Sequence, residues 1–324
     1  MLVDAYNRKI DYLRISVTDR CNLRCIYCMP EWGIIHKSHE ELLTFEEIVE
    51  IVKAAVKLGI DKLRLTGGEP LVRKNLVNLI SSLNKMEGIR DIALTTNGIL
   101  LKRFALVLKK AGLKRVNISL DSLSQDRYSQ ITRQGRLGQV LEGIQEAFRV
   151  GLSPIKINVL LLEDIKLEEI TDFLKLTRES PIHIRFLEFM PVNPFYKVEK
   201  PVSCAEIINI AQRSADIEEA EVIGNGPARV YTFKNGLGTF GIISPMSCKF
   251  CFRCNRLRLT SDGFLKVCLH SDLKVNLRDP LRQGANAEEI SRLIKSAVDM
   301  KPREHSLDKD GVKYTEFSMC QIGG

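Results

Sequence analysis

Tyr12-Leu13-Arg14-Ile15-Ser16-Val17-Thr18-Asp19-Arg20-Cys21-Asn22-Leu23-Arg24-Cys25-Ile26-Tyr27-Cys28 is the stretch that decides how the chain folds. A β-rich run leads directly into three thiols spaced C-x3-C-x2-C. A tetrahedral zinc site wants four ligands, usually as two C-x2-C pairs. Here three cysteines share one loop, with no fourth Cys or His at a usable short spacing. A [4Fe–4S] cube held by three thiolates keeps one iron open to another ligand. A zinc knuckle completed by a distant His36 or His39, or a disulfide cluster, are the alternatives at this point.

Outward from that stretch, short β-rich runs alternate with longer amphipathic ones. The strands expected are Tyr12–Val17, Lys62–Thr66, Asp91–Thr95, Arg115–Leu120, Ile155–Leu161 and His183–Phe189. Thr44 and Glu47 form a capping box that opens a helix running to Gly59. Further helices are expected over Lys74–Met86, Lys102–Ala111, Leu137–Val150 and Lys166–Arg178. Six β-then-α units without a hairpin predict a parallel sheet with right-handed crossovers. The fold class is α/β, an incomplete (β/α)6 barrel of the TIM type, with functional residues at the C-terminal strand ends.

After Pro191 the pattern changes. Pro191, Pro194 and Pro201 mark a linker, and a boundary at 194/195 divides a barrel unit from a C-terminal α+β extension. A short helix over Cys204–Arg213 precedes two hairpins, around Asn235-Gly236 and Asp262-Gly263. The first pairs Arg229–Lys234 with Gly238–Ile243, the second Asn255–Ser261 with Phe264–Leu269. A helix over Ala287–Met300 leads to the tail. A second cysteine group, Cys251, Cys254 and Cys268, is spaced C-x2-C-x13-C. Cys248 and His270 are the rival fourth ligands, and a zinc ribbon is the alternative reading.

The 324 residues carry 48 basic and 40 acidic side chains, a mild excess of +8 consistent with an anionic small substrate, with nucleic acid, or with no specific partner. Nine cysteines are an odd number in a chain too large to need disulfides, and six fall into the two tight groups. That usage indicates a reducing compartment, here the cytoplasm, and metal chemistry. Cys204 reads as a surface or buried thiol and Cys320 as a tail thiol. No signal peptide or membrane span is expected. There is no Walker A, dinucleotide or Gly-x-Ser-x-Gly motif, so hydrolysis and hydride transfer lack their apparatus.

The C-x3-C-x2-C loop with Tyr27 before its last Cys resembles the signature of the radical S-adenosylmethionine enzymes. The resemblance implies a [4Fe–4S] cluster on Cys21, Cys25 and Cys28 whose open iron chelates S-adenosylmethionine. Leu65-Thr66-Gly67-Gly68-Glu69-Pro70, at the end of the second strand, resembles that family's Gly-Gly-Glu-Pro motif, which holds the methionine amino group. Ser119 and Met190 match positions that contact S-adenosylmethionine in the relatives, and Tyr27 matches a backbone contact to adenine. Singly, a residue such as each of these three is more often structural.

Cys251-Phe252-Arg253-Cys254-Asn255-Arg256-Leu257-Arg258-Leu259-Thr260 resembles the C-terminal motif of the GTP 3′,8-cyclases, radical enzymes that begin molybdenum cofactor synthesis. The resemblance runs from about Arg14 to Gly324. It implies a second [4Fe–4S] cluster on Cys251, Cys254 and Cys268 that binds guanine. Arg14, Arg64, Thr95 and Lys156 match GTP contacts of that family, and Arg256, Leu257 and Arg258 form the adjoining contact strand. Lys62 and Arg185 fit as further phosphate partners. The cyclases also end in a Gly-Gly that enters the active site, here Gly323 and Gly324. The implied reaction is abstraction of the 3′ hydrogen of GTP and closure on C8, giving (8S)-3′,8-cyclo-7,8-dihydro-GTP. It implies a flavodoxin- or ferredoxin-type electron donor, a homodimer, and a downstream cyclic pyranopterin monophosphate synthase as partner. Two rival readings are a radical enzyme acting on a peptide or another nucleotide, and a non-catalytic two-site metal-binding module. The 6% aromatic content and the lack of a basic patch interleaved with aromatics speak against nucleic acid.

Overall fold

The computed structural model describes residues 1–163, 165–192, 194, 196–221, 226–305, 307 and 319–323. The first half alternates as expected: β1 Tyr12–Ser16, α1 Phe45–Lys57, β2 Lys62–Thr66, α2 Leu76–Asn84, β3 Asp91–Thr96, α3 Leu101–Lys110 and β4 Arg115–Ser119. Then come α4 Gln125–Thr132, α5 Leu137–Arg149, β5 Ile155–Leu161, α6 Leu167–Glu179 and β6 Ile182–Glu188. Beyond the prolines lie α7 Cys204–Ser214, β7 Ile217–Glu219, β8 Arg229–Phe233, β9 Thr239–Ile243, β10 Arg256–Leu259, β11 Phe264–Lys266 and β12 Lys274–Asn276. The helices α8 Arg278–Arg282, α9 Ala287–Asp299 and α10 Met319–Ile322 complete the described chain.

The capping box forms: Glu47 N–H donates to Thr44 Oγ1 at 3.1 Å and Thr44 N–H to Glu47 at 2.8 Å. Such a cap stabilises a helix by about 1 kcal/mol. Both hairpins form as antiparallel pairs, with Asn235 and Gly263 at positive φ in their turns.

The C-terminal extension is not separate from the barrel sheet. Its strands join the same sheet, in the order β12-β11-β10-β1-β2-β3-β4-β5-β6-β9-β8-β7. β10 pairs parallel with β1, and β9 parallel with β6. The six parallel strands therefore become eight, with an antiparallel ribbon outside each edge. The reason is edge chemistry: β1 and β6 each present an unpaired row of N–H and C=O groups, and the extension satisfies both.

The sheet has two unlike faces. Leu13, Ile15, Leu63, Leu65, Val116, Ile118, Ile157, Phe186, Phe240 and Leu257 are fully or almost fully buried in one apolar core with the helices. Each such side chain contributes about 2 kcal/mol. The alternate residues form the other face. There the registers align Arg258, Arg14 and Arg64 in one row and Asn117, Lys156 and His183 in another. Among the described residues, no helix is long and apolar enough to cross a membrane.

Candidate active site

The first cysteine loop leaves β1 and is held on two sides. On one side Gly68 N–H donates to Thr18 O at 2.7 Å and Glu69 N–H to Arg20 O at 2.8 Å. A Cβ on Gly67 would stand 2.5 Å from Thr18 O, and one on Gly68 2.3 Å from Arg20 O. The two glycines thus admit the loop's own backbone, where the sequence suggested a ligand. On the other side Arg24 N–H and Ile26 N–H donate to Thr132 O and Ile131 O, at 3.1 and 2.9 Å. Those carbonyls end α4, a helix the sequence reading missed. Its apolar stripe is only Tyr128 and Ile131, too short to show a period.

Cys21, Cys25 and Cys28 are free thiols, each pushed up by its surroundings. Burial raises Cys21 to about 11, and burial followed by the Asp121 charge raises Cys25 beyond the usual range. For Cys28 the largest cause is a hydrogen bond with Cys320, then burial. Leu23 N–H and Asn97 Nδ2 point at Cys21 Sγ, at 3.4 and 3.9 Å. Three soft donors with neutral N–H groups around them fit an iron–sulfur cluster. His36 faces Asp19 at 3.6 Å, and His39 lines a separate cleft with Thr18 and Arg20. Among the described residues neither histidine completes a set of ligands with the thiols.

Glu69 is fully buried. Its carboxylate accepts from Leu71 N–H at 3.0 Å, Thr96 Oγ1 at 2.7 Å and Asn97 N–H at 2.7 Å. Among the described residues no cation lies within ion-pair distance. Burial outweighs the three donors and raises its pKa to about 7. A buried carboxylate in that condition fits an ammonium partner. Thr96, Asn97 and Asp121 were missed in the sequence. The signal available was Thr95-Thr96-Asn97-Gly98, a polar turn at a strand end. Tyr27 donates to Asp121 at 2.7 Å, and burial holds Asp121 up at about 6.

A cavity of about 1100 Å³ opens on the polar face. Arg14, Arg64, Arg185, Arg256 and Arg258 line it, with Tyr27 at the first cysteine loop. Burial first, then neighbouring cations, pushes the pKa of Arg14, Arg64, Arg185 and Arg258 down. Guanidinium stays charged at any working pH, so these are charges held chiefly out of water and secondarily beside one another, a condition that an anion would relieve. Lys156 lies buried below this surface, its pKa drawn to about 6 by burial and then by Arg185. Thr95 shares the polar face, its Oγ1 buried without a hydrogen-bond partner among the described residues. Ser119 ends β4 on that face, opposite Asn158.

Four of the residues expected to contact GTP do not line this cavity: Thr95 and Lys156, which share its face, and Lys62 and Leu257, which are engaged elsewhere. Lys62 is held by Asp11 at 2.7 Å and Asp61 at 3.6 Å. Leu257 is fully buried in the helix-packed core, because alternation sends it to the face opposite Arg256 and Arg258.

The second group meets in a cavity of about 610 Å³ lined by Cys251, Cys254, Cys268, His270, His305 and Lys301. The two cavities adjoin, sharing Met190, Phe250, Arg256 and Arg258 as wall residues. His270 stands in the smaller one with both ring nitrogens buried and unpartnered among the described residues. Cys248 lines a different cleft with Cys204, and Arg229 donates to its sulfur at 3.1 Å. Arg8 donates to Cys251 O at 2.8 Å and so ties the start of the chain to this loop. Gly323 O accepts from Arg258 at 2.6 Å and Arg14 at 3.3 Å. Gly324 lies outside the described residues.

A family model described as Radical SAM superfamily matches residues 15–177, about half of the chain. A second, Molybdenum Cofactor Synthesis C, matches residues 182–307. The GTP 3′,8-cyclase of Peptoclostridium acidaminophilum is 50% identical over 100% of this chain and 98% of its own length. The chain belongs to the GTP 3′,8-cyclase family. That family's cyclase from Alkaliphilus oremlandii is 49% identical, covering 99% of each chain. As a member of the radical S-adenosylmethionine superfamily, the cyclase family uses a [4Fe–4S] cluster and S-adenosylmethionine. The fold is shared with Streptococcus suis SuiB, in a structure bound to S-adenosylmethionine, at a TM-score of 0.64 and 16% identity. That likeness covers 97% of this chain and 78% of SuiB.

Proposed function

We propose that this chain cyclises GTP to (8S)-3′,8-cyclo-7,8-dihydro-GTP, the first step of molybdenum cofactor biosynthesis. One observation carries the reading: five arginines line a cavity that borders the first cysteine loop at Tyr27 and shares walls with the pocket of the second group. In this reading Cys21, Cys25 and Cys28 hold the first cluster, and Glu69 takes the cofactor's ammonium. When bound, the cluster and S-adenosylmethionine supply the radical that removes hydrogen.

The rest is positioning by this chain. Arg14, Arg64, Arg185, Arg256 and Arg258 hold the triphosphate, bidentate guanidiniums suiting phosphate oxygens. Cys251, Cys254 and Cys268 hold a second [4Fe–4S] cluster near guanine. Residues 1–194 carry the cofactor and residues 195–324 the base, and the apolar wall of Met190, Val192 and Leu269 excludes water. Gly67 and Gly68 act by seating the cysteine loop, and Tyr27, Ser119 and Met190 border the cofactor. A flavodoxin- or ferredoxin-type donor, a homodimer, a cytoplasmic location and a downstream cyclic pyranopterin monophosphate synthase complete the proposal.

The test is anaerobic turnover with GTP deuterated at C3′. Deuterium in 5′-deoxyadenosine together with a cyclised product supports the reading. Unlabelled 5′-deoxyadenosine would remove GTP as the substrate, and uptake of zinc alone would remove the cluster on Cys21, Cys25 and Cys28.

A further inference from the structure

The reading above gives Cys320 no task, yet α10 delivers it into the first cysteine site. Its side chain is buried, 2% exposed. It stands within hydrogen-bonding reach of the Cys28 thiol and close enough for its charge to act on Cys21. Its neighbours in the tail fix it there. Ile322 packs with Val192 beside Met190 and Leu269. Gly323 O is clasped by Arg258 and Arg14. The Gly323 backbone lies so close to Thr66 that a Cβ would meet its methyl at 2.2 Å. Thr66 directly precedes Gly67-Gly68-Glu69, so the tail stands at the strand end assigned above to the cofactor. A fourth thiol thus stands beside Cys28, next to the other two.

We propose that Cys320 ligates the open iron of the first cluster while no S-adenosylmethionine is bound, and that S-adenosylmethionine displaces it. The proposal rests on the assignment of Cys21, Cys25 and Cys28 as a three-thiolate cluster site. The exchange balances without redox change. On ligation the Cys320 thiol gives its proton to solvent, and a sulfur lone pair forms the bond to iron. On displacement the amine nitrogen and a carboxylate oxygen of S-adenosylmethionine donate instead, and the Cys320 thiolate regains a proton. Thiolate is a soft ligand suited to such iron. Because Gly323 is held by Arg258 and Arg14, release of Cys320 also loosens the clasp on two arginines of the substrate cavity. Cofactor entry and the triphosphate site are thereby coupled, each favouring the other.

The test uses the full chain with clusters reconstituted anaerobically, beside Cys320→Ala and Cys320→Ser. The electron paramagnetic resonance spectrum of the reduced first cluster is read with the second group removed by substituting Cys251, Cys254 and Cys268. Cys320→Ala should change that spectrum without S-adenosylmethionine and leave it unchanged with it. In the holo chain, S-adenosylmethionine should expose Cys320 to iodoacetamide, as read by mass on the tail peptide. If the competent state is one tenth populated, Cys320→Ala should bind S-adenosylmethionine about tenfold more tightly. Cys320→Ser keeps the packing and the hydrogen bond. It should follow Cys320→Ala if ligation matters, whereas behaviour like the unsubstituted chain overturns the proposal. Equal spectra for Cys320→Ala and the unsubstituted chain also overturn it. An iron count that shows no first cluster, with Cys21, Cys25 and Cys28 intact, refutes instead the assignment on which the proposal rests.

Discussion

Replacing Glu69 by glutamine separates charge from shape at the turn after β2. The carboxylate has no exposed surface and three neutral donors within 3.0 Å. Burial nevertheless lifts its pKa from 4.5 to about 7. An ammonium set against it favours the charged form, so proton and ammonium compete for one carboxylate. For a site of pKa about 7 this alone makes S-adenosylmethionine affinity about tenfold weaker at pH 6 than at pH 8. The ligand's own amine titrates as well, so the informative quantity is the slope in excess of that left in Glu69→Gln. Losing a charge-assisted hydrogen bond costs about 1.5–3 kcal/mol, so Glu69→Gln should also bind about 10- to 150-fold more weakly above pH 7.

Stability should show the same group with the opposite sign. In the cofactor-free chain the folded state keeps a proton on Glu69 where the unfolded state has lost it. Its contribution therefore falls as pH rises from about 4.5 to about 7, by about 3 kcal/mol for a shift of this size. Anaerobic equilibrium dialysis of S-adenosylmethionine on both sides of that pKa measures the binding effect. Parallel pH curves for Glu69 and Glu69→Gln would refute the assignment of Glu69 to the ammonium.

Other substitutions test the remaining parts. Cys251→Ala should lower bound iron from about eight to about four per chain with S-adenosylmethionine binding retained; unchanged iron would deny the second cluster. Arg258→Ala removes the 2.6 Å bond to Gly323 O and a cavity cation, so GTP affinity should fall about 10- to 150-fold by filter binding. Lys62→Met should alter GTP affinity less than about twofold, since its ammonium is engaged by Asp11 and Asp61; a larger loss would restore it to the phosphate site. Leu257→Ala should cost about 2–5 kcal/mol in urea unfolding, because its side chain is buried in the core.

The parallel half was legible because it rests on local rules. Strand runs, the Thr44–Glu47 box and the two Gly-containing turns each announce themselves within a few residues. What stayed hidden was long-range. That β10 adds to β1 and β9 to β6 depends on which edges remain unsatisfied, which no window of sequence displays. The same holds for α4, whose carbonyls anchor the cysteine loop while its own sequence is polar. Motifs located the two thiol groups and Glu69, but not the direction of Lys62 or Leu257. Lys62 lies on a strand beside a GTP-matching arginine, yet the acidic pair Asp11 and Asp61 claims it first. Leu257 sits between two site arginines and for that reason faces away from them.

The arginine row gives the physical link between substrate and tail. Arg258, Arg14 and Arg64 are register neighbours on three adjacent strands. Strands run about 4.8 Å apart, and at an effective dielectric constant of about 20 unit charges at that spacing repel by about 3 kcal/mol per neighbouring pair. Side chains that splay apart lessen the repulsion without removing it. The Gly323 carbonyl offers two of them the negative end of a dipole. A triphosphate offers several full charges to the same groups and so relieves more of the repulsion. Arginines placed this way bind the anion more tightly than they bind the tail. If the triphosphate sits on this row as proposed, the tail's grip on Arg14 and Arg258 is the interaction that yields to it.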